Sequence, residues 1–523
     1  MTTSSTTSPT TSAEFPLSHR QIMVVVFGLM TATMLGALDQ TIVATALPTI
    51  VGDLGNLNQL PWVVTAYLLA STASTAVYGP ISDIYGRKRT YQVAILIFLI
   101  GSILCGLAQN MPQLIGARLI QGVGGGGLLT MGFAIIGDVI PPRERGRYAG
   151  YFGAVFGIAS VAGPLVGGFF VENLTWRGIF YINIPLGFIA FITISRVLKK
   201  NVTSDVKSRI DLLGAALLIS WTVALLLWLE RSRAWGWGSP ASLAVLTLAL
   251  VLFAAFIRHE TVSEAPILPT RIFRNRVFTV AGACTFLGGL GLFGAIIYMP
   301  IYLQIVKGQS PTLAGLHMLP IITGLLIGSI SSGRLITRWG RYKAFPILGF
   351  AMSGIAMTAL SRIDGETSAV YYSLAMLLLG YGFGNTTQVL VLAAQNAVER
   401  KDIGVATSTA TFMRQMGGTF GIAVFGSVLI GTLTSSLAAA FPKGPPAGVS
   451  ADRLTGSPAV IQQLPDAAKV PVIDSFINAI QTTFTWAIPV LVAAFILSLF
   501  LKDIRLADRD DVVATPSEES ATA

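Results

Sequence analysis

The sequence predicts an all-α integral membrane protein with fourteen transmembrane helices, and three observations carry that reading. Of its 523 residues 53% are apolar and only 11% charged, with a mean hydropathy of +0.69, whereas soluble domains carry about 25% charged residues. Fourteen apolar stretches are long enough for a hydrocarbon core, which takes about 20 helical residues to cross. The 35 Lys and Arg fall very unequally on the two sides of those stretches.

Residues 1–18 are rich in Ser and Thr and too poor in apolar side chains to fold, so they read as a disordered cytoplasmic tail. No signal peptide is expected, because the run after Arg20 exceeds the roughly 7–15 residues of an h-region and contains Asp39. Six spans follow, at 21–48, 60–80, 91–108, 111–139, 147–171 and 178–198, which makes 19–200 a first bundle. Two more, at 210–229 and 240–257, fall within 201–275 and are the weakest. Removing that pair leaves twelve spans and keeps every other orientation. The last six, at 277–305, 311–333, 344–361, 369–396, 403–432 and 483–501, make 276–502 a second bundle. Its polar link, 432–482, contains PKGPP and AVIQQLPDAAKVPVIDSFINAI, read as an amphipathic hairpin on the outer surface. The stretch 503–523 is an acidic tail expected to be unstructured.

With both ends cytoplasmic, inner segments hold 25 of the 35 Lys and Arg and outer segments 8, leaving only Arg118 and Arg414 inside spans. GRKR at 86–89 and PPRERGR at 141–147 are typical inner segments. The formal charge of +10 is therefore a topology signal, and no nucleic-acid partner is expected. Cys105 and Cys284 lie inside spans and the three histidines share no ligand spacing, so neither a disulfide, a metal nor any cofactor is implied. No GxxxxGK[ST] occurs, which argues against ATP hydrolysis by the chain itself. Aspartyl chemistry needs two carboxylates in reach of each other, and Asp39 is the only deep acid, so no enzyme is expected. A channel would show rings of charge or filter carbonyls, and none is seen.

Asp39 is the residue around which the chain is read. A charge in the middle of a span costs about 2.5–3.5 kcal/mol on insertion scales and marks a functional site by default. An acid facing a cavity can take up and release a proton as its surroundings change; the plainer alternative is a permanent hydrogen bond between helices. In the fourth span Arg118, Gln121, Gly122 and Gly125 share one helical face. Arg118 keeps its proton and acts through charge, either on a carboxylate or on backbone carbonyls. Gly122 and Gly126 have the spacing of close helix packing. In the fifth span GPLVGG supplies Gly163, Pro164, Gly167 and Gly168, where the proline predicts a kink. GPISDIYGRKR at 79–89 is echoed by GRLITRWGRYK at 333–343, an internal repeat placed alike in the two bundles. Arg414 is the one deep cation of the second bundle, and Tyr298, Tyr302, Asn385, Thr387 and Gln388 are candidate pocket residues beside it.

LDQTIVATALP, GPISDIYGRKR, RLIQGVGGG, GPLVGG and WRGIFYINIP, in this order, resemble the major facilitator superfamily and, more narrowly, its fourteen-helix drug:proton antiporters; the resemblance covers about 20–505. It implies a two-bundle fold, twelve core helices plus two inserted, that alternates access to a central site. It also implies proton-coupled multidrug efflux by a monomer in the cell membrane, with protons, lipophilic small molecules and membrane lipids as partners. An exporter of one lipid, metabolite or antibiotic, or a symporter, is the alternative. By the same resemblance Asp39 and Arg118 couple protons, Gln121 belongs to the substrate path, and Gly163, Pro164, Gly167 and Gly168 form an antiporter motif sealing one half on the other. Gly79, Asp83, Gly86, Arg87 and Arg89 form an inner-loop charge latch. The chain departs at Ala44, where the family has Asn, at Ala159, where it has Gly, at Ile84, where it has Arg, and at Thr337, which replaces the acid of the second latch copy.

Overall fold

Residues 19–54, 60–140, 142–197, 211–263, 266, 268–399, 402–442, 461 and 464–503 are described by a computed structural model. Among them are fourteen helices of fifteen residues or more. In chain order these are α1 (His19–Leu54), α2 (Leu60–Tyr85), α3 (Arg87–Leu107), α4 (Met111–Val139), α5 (Pro142–Asn173), α6 (Asn183–Val197), α7 (Leu212–Trp235) and α8 (Pro240–Val262). Then come α9 (Arg276–Ile301), α10 (Leu319–Trp339), α11 (Ala344–Leu360), α12 (Ala369–Asn396), α13 (Ile403–Ala440) and α14 (Asp466–Leu499). No strand occurs among the described residues. Eleven helical segments are long and apolar enough to cross a membrane, and α11, at 17 residues, is a shorter apolar helix. Helices suit these sequences because hydrocarbon offers no partner to backbone N–H and C=O groups, which a helix satisfies within itself. Where the chain leaves the helices, polar side chains take over, as when Asn110, Asp211, Ser239 and Ser368 accept the first free N–H groups of α4, α7, α8 and α12.

The buried apolar side chains sort by sequence. One cluster draws only on residues between Ile272 and Leu501, and two others only on residues between Ile22 and Ile194. Small residues set the closest contacts. A side chain at Gly122 or Gly126 would run into the Tyr67 or Ser71 carbonyl oxygen of α2, and one at Gly124 into the Phe98 backbone of α3. The glycine run of α4 is thus the seam on which α2 and α3 close, the packing its spacing predicts.

Helices α5 with α10 and α2 with α13 join the two groups of helices. At one end α2 and α4 press on the start of α13: a Cβ on Gly79 of α2 would lie 2.3 Å from the Gly404 carbonyl oxygen, and one on Gly137 of α4 2.8 Å from Ile403 Cγ2. Helices α7 and α8 pair with each other and lean on α2 and α13. Between them, α9 and α13 lies a largely apolar cavity of about 590 Å³.

The link before the last helix differs from expectation. Helix α13 runs on to Ala440 and α14 starts at Asp466, so VPVIDSFINAI is part of a 34-residue helix and not of a surface hairpin. The reason is periodic burial. Ala468, Val472, Phe476, Ala479, Ile480 and Phe484 recur at three- and four-residue steps and are all buried, all but Ala468 in the cluster of the second half. Residues 443–460 of that link lie outside the described residues.

Candidate functional site

Asp39 sits in the middle of α1 and is 1% exposed. Its Oδ2 pairs with Arg118 Nη1 of α4 at 2.6 Å. Its Oδ1 accepts from Gln121 Nε2 at 2.8 Å and from Asn183 Nδ2, at the start of α6, at 3.1 Å. The Ser102 hydroxyl of α3 accepts from both amides, at 3.2 Å from Gln121 and 2.9 Å from Asn183, and donates to the Phe180 carbonyl at 2.8 Å. Arg118 is held on three sides: Nη1 donates to Gln121 Oε1 at 2.7 Å, Nε donates to the Val63 carbonyl at 3.1 Å, and the guanidinium lies 4.3 Å from the centre of the Tyr67 ring. Both readings of Arg118 are therefore realised together, carboxylate partner and carbonyl partner.

This arrangement is a buried, fully donor-lined carboxylate. Three donors reach it, one of them the Arg118 guanidinium, and loss of either charge would leave the other uncompensated at low dielectric. Ser102 and Asn183 complete the cluster and were not singled out from sequence. The signal for Asn183 was its place as the only amide of FYINIP, inside an apolar span. The Asn183 Oδ1 has no hydrogen-bond partner among the described residues.

The motif at 79–89 assembles where α2 turns into α3. Gly86 has φ 88°, a left-handed backbone that a side chain would strain, and it turns Arg87 back onto the end of α2. Arg87 Nη2 pairs with Asp83 Oδ1 at 2.6 Å and Nε with Asp138 Oδ2 of α4 at 2.6 Å, while Nη1 donates to Ser82. This triad abuts the start of α13, where a Cβ on Gly404 would meet Arg87 and both Asp83 oxygens. Gly79 lies against Gly404 and Ser408. Arg89 is exposed and makes no ion pair among the described residues. In the echoing copy Gly340 also has positive φ, 69°, which supports the internal repeat. Its Thr337 hydroxyl donates to the Gly333 carbonyl, and Arg341 pairs at 3.6 Å with Asp503. The Asp83–Arg87–Asp138 network belongs to the first copy.

In α5, Gly163 and Gly167 are buried and Gly168 is part-buried; the Pro164 side chain lies outside the described residues. A Cβ on Gly163 would stand 2.0 Å from Thr41 Oγ1 of α1, and that hydroxyl donates to the Ala159 carbonyl at 3.0 Å. At Gly163, then, α5 closes on α1, a helix of the same half. A side chain at Gly168 would meet open space.

The pocket candidates separate. The Tyr302 hydroxyl donates to the Asp364 carbonyl and that of Tyr298 to the Ile422 carbonyl. Asn385 donates to Tyr381 O, and Thr387 to Phe383 O, each within α12. Gln388 is 8% exposed and its Oε1 has no partner among the described residues. Arg414 is partly buried and makes no hydrogen bond or ion pair among them. Its neighbour Gln415 accepts from Thr75 of α2 at 3.2 Å, joining the two halves. His317 contacts Gln309 and Tyr372, and among the described residues no three His, Cys, Asp or Glu gather as metal ligands.

Residues 29–422 match the model of the Major Facilitator Superfamily. Multidrug resistance protein 3 of Bacillus subtilis is 37% identical over 92% of this chain and 95% of its own. Multidrug transporter protein MdtP of the same organism is 35% identical over 98% of each. Among solved structures, the proton:xylose symporter XylE superposes with a TM-score of 0.63 over 95% of this chain and 99% of its own, at 13% identity, a likeness of fold. Helices, motifs and matches agree: the chain belongs to the major facilitator superfamily.

Proposed function

We propose that the chain exports lipophilic, drug-like small molecules across the cytoplasmic membrane in exchange for protons. The observation that carries this is the Asp39 cluster, in which one carboxylate is held by Arg118, Gln121 and Asn183 from two further helices. Its charge state is tied to the relative placement of α1, α4 and α6, so a proton taken up there shifts helices, which is what coupling requires. The names of the two Bacillus subtilis relatives support drugs as the cargo.

In this reading fourteen spans cross the membrane, six in each bundle and α7 and α8 inserted, with both termini cytoplasmic and the chain working as a monomer. The bundles are 19–200 and 276–502, the insertion 201–275. Asp39 and Arg118 couple the proton, and GPLVGG gives the α1–α5 contact at Gly163 an antiporter's geometry. Asp83, Arg87 and Asp138 latch the inner ends through Gly79 and Gly404. Gln121, Tyr298, Tyr302, Asn385, Gln388 and Arg414 border the substrate path. The test is purified protein in liposomes with an imposed pH gradient and a panel of lipophilic dyes. Dye accumulation with stoichiometric proton release is expected; accumulation that is indifferent to the gradient would overturn the reading.

A further inference from the structure

Arg414 of α13 is partly buried and carries a positive charge that no ion pair among the described residues cancels. Helix α13 shows where Arg414 points. At about 100° per residue, Phe412, Met416 and Phe420 lie on one stripe, and all three line the cavity beside α7 and α8. Gly417 and Gly421 press on the Phe286 and Leu290 carbonyls of α9. Gln415 reaches Thr75 of α2. A Cβ on Gly289 of α9 would meet the Arg414 carbonyl oxygen, so Arg414 lies on the side of α13 that α9 packs on, next to the α2-facing side and away from the outer stripe. It is the twelfth residue of α13, about 17 Å along the axis, near the middle of a hydrocarbon layer of about 30 Å.

Among the described residues no acid pairs with Arg414. The sequences of α9, α10, α12 and α13 contain no Asp or Glu. The one deep acid, Asp39, is already paired with Arg118, and Asp83 and Asp138 are engaged by Arg87 at the helix ends. A guanidinium without an opposite charge at this depth is costly, and a planar two-oxygen anion matches its fork best.

We propose that Arg414 is the recognition point for the acid group of the cargo, so that the preferred substrate is a lipophilic body bearing a single carboxylate. This rests on the export reading and narrows it. The bound carboxylate supplies the missing charge while its lipophilic part lies on apolar walls, and release of the anion leaves Arg414 unmatched again, ready for the next cargo. A cationic cargo would add to the charge of Arg414 instead of cancelling it.

The test uses three probes with one dansyl-labelled alkyl chain ending in a carboxylate, a primary amide or an amine. Equilibrium binding to the purified full-length chain is measured in detergent at about 0.1 M and 0.5 M salt, the higher to screen the basic loops. The carboxylate is expected to bind at least tenfold more tightly than the amide, with the amine weakest and the order unchanged by salt. Arg414→Gln is expected to abolish the difference and Arg414→Lys to keep part of it. Equal binding of amide or amine by the unaltered protein, or a carboxylate preference that survives Arg414→Gln, overturns the proposal. If neither variant folds, the ranking by the unaltered protein at high salt decides. Flux of the neutral amide in liposomes tests the export reading separately: its absence would sink export while leaving the binding order to judge Arg414.

Discussion

Asp39 and Arg118 are 2.6 Å apart with Asp39 1% exposed, and that closeness fixes what a substitution does. Asp39→Asn keeps the shape of the side chain but strips the buried guanidinium of its counter-charge, and breaking a buried pair costs about 3–5 kcal/mol. The variant is expected to lose that much stability and all uphill transport. Asp39→Asn with Arg118→Gln is expected to regain most of the stability without regaining coupling, because neither residue is then charged. Thermal unfolding in detergent and gradient-driven dye uptake in liposomes read the two effects. Uphill transport by either variant would place the coupling proton elsewhere. At this scale the sequence was legible where polarity is expensive: an acid and an arginine inside apolar runs stand out because hydrocarbon penalises both. Ser102 and Asn183 hold the same carboxylate and did not stand out, since small neutral polar groups in spans are common and their partners come from distant parts of the chain. Nor could the sequence tell Arg118, which is paired, from Arg414, which is not.

Helices were legible as apolar runs, and their ends were less so. Asp466, Lys469 and Pro471 gave the start of α14 the composition of a loop, while the buried stripe from Ala468 to Phe484 made it a helix. GPLVGG was legible as a motif, but not which neighbour it meets. With Thr41 Oγ1 2.0 Å from a Cβ on Gly163, Gly163→Leu must push α1 from α5. Overpacking of this kind costs about 1–3 kcal/mol, and the expected outcome is blocked or uncoupled transport with the protein still inserted. Unchanged dye flux would make that contact a passive one. The inserted pair has its own clasp. Asp211 caps α7 through the Gly214 N–H at 2.7 Å, pairs with His259 at 2.7 Å and accepts from Ser263 at 2.9 Å. Burial opposes ionisation of Asp211, but the Gly214, His259 and Ser263 hydrogen bonds together hold its carboxyl below the usual range. A depressed acid stabilises the fold above its unfolded pKa, near 3.9, and loses that effect as pH falls through its folded value. Asp211→Asn is therefore expected to lower the unfolding temperature at pH 7, and the gap from the unaltered protein to close as pH falls below about 4. A gap independent of pH would mean the clasp acts by shape alone.

Across the whole molecule, the two halves meet chiefly through α5 with α10 and α2 with α13, with α4 against α12 and α13 beside them, and none of these pairings was visible in sequence, because contacts such as Gly79 with Gly404 or Gln395 with Phe133 join residues far apart or small and unremarkable in composition. What the geometry adds is a state: the ends bearing Asp83 and Gly404 are shut. Access that alternates must part them, since Gly79 and Gly404 leave no room for even a methyl group between α2 and α13. Cysteines at Gly137 and Ile403 offer a direct measurement, because a Cβ at 137 lies 2.8 Å from Ile403 Cγ2, within reach of the roughly 3.5–4.5 Å that separates the Cβ atoms of a disulfide. The native thiols, Cys105 and Cys284, are buried and give little background. Oxidation of Gly137→Cys/Ile403→Cys is expected to stop dye transport and a reductant to restore it, whereas either single variant should respond to neither. The bridge should form more slowly when a transported dye is present, since turnover keeps that end open for part of each cycle. Full transport by the oxidised, demonstrably bridged protein would mean that the halves do not separate here, and that alternating access by rocking is the wrong description of this molecule.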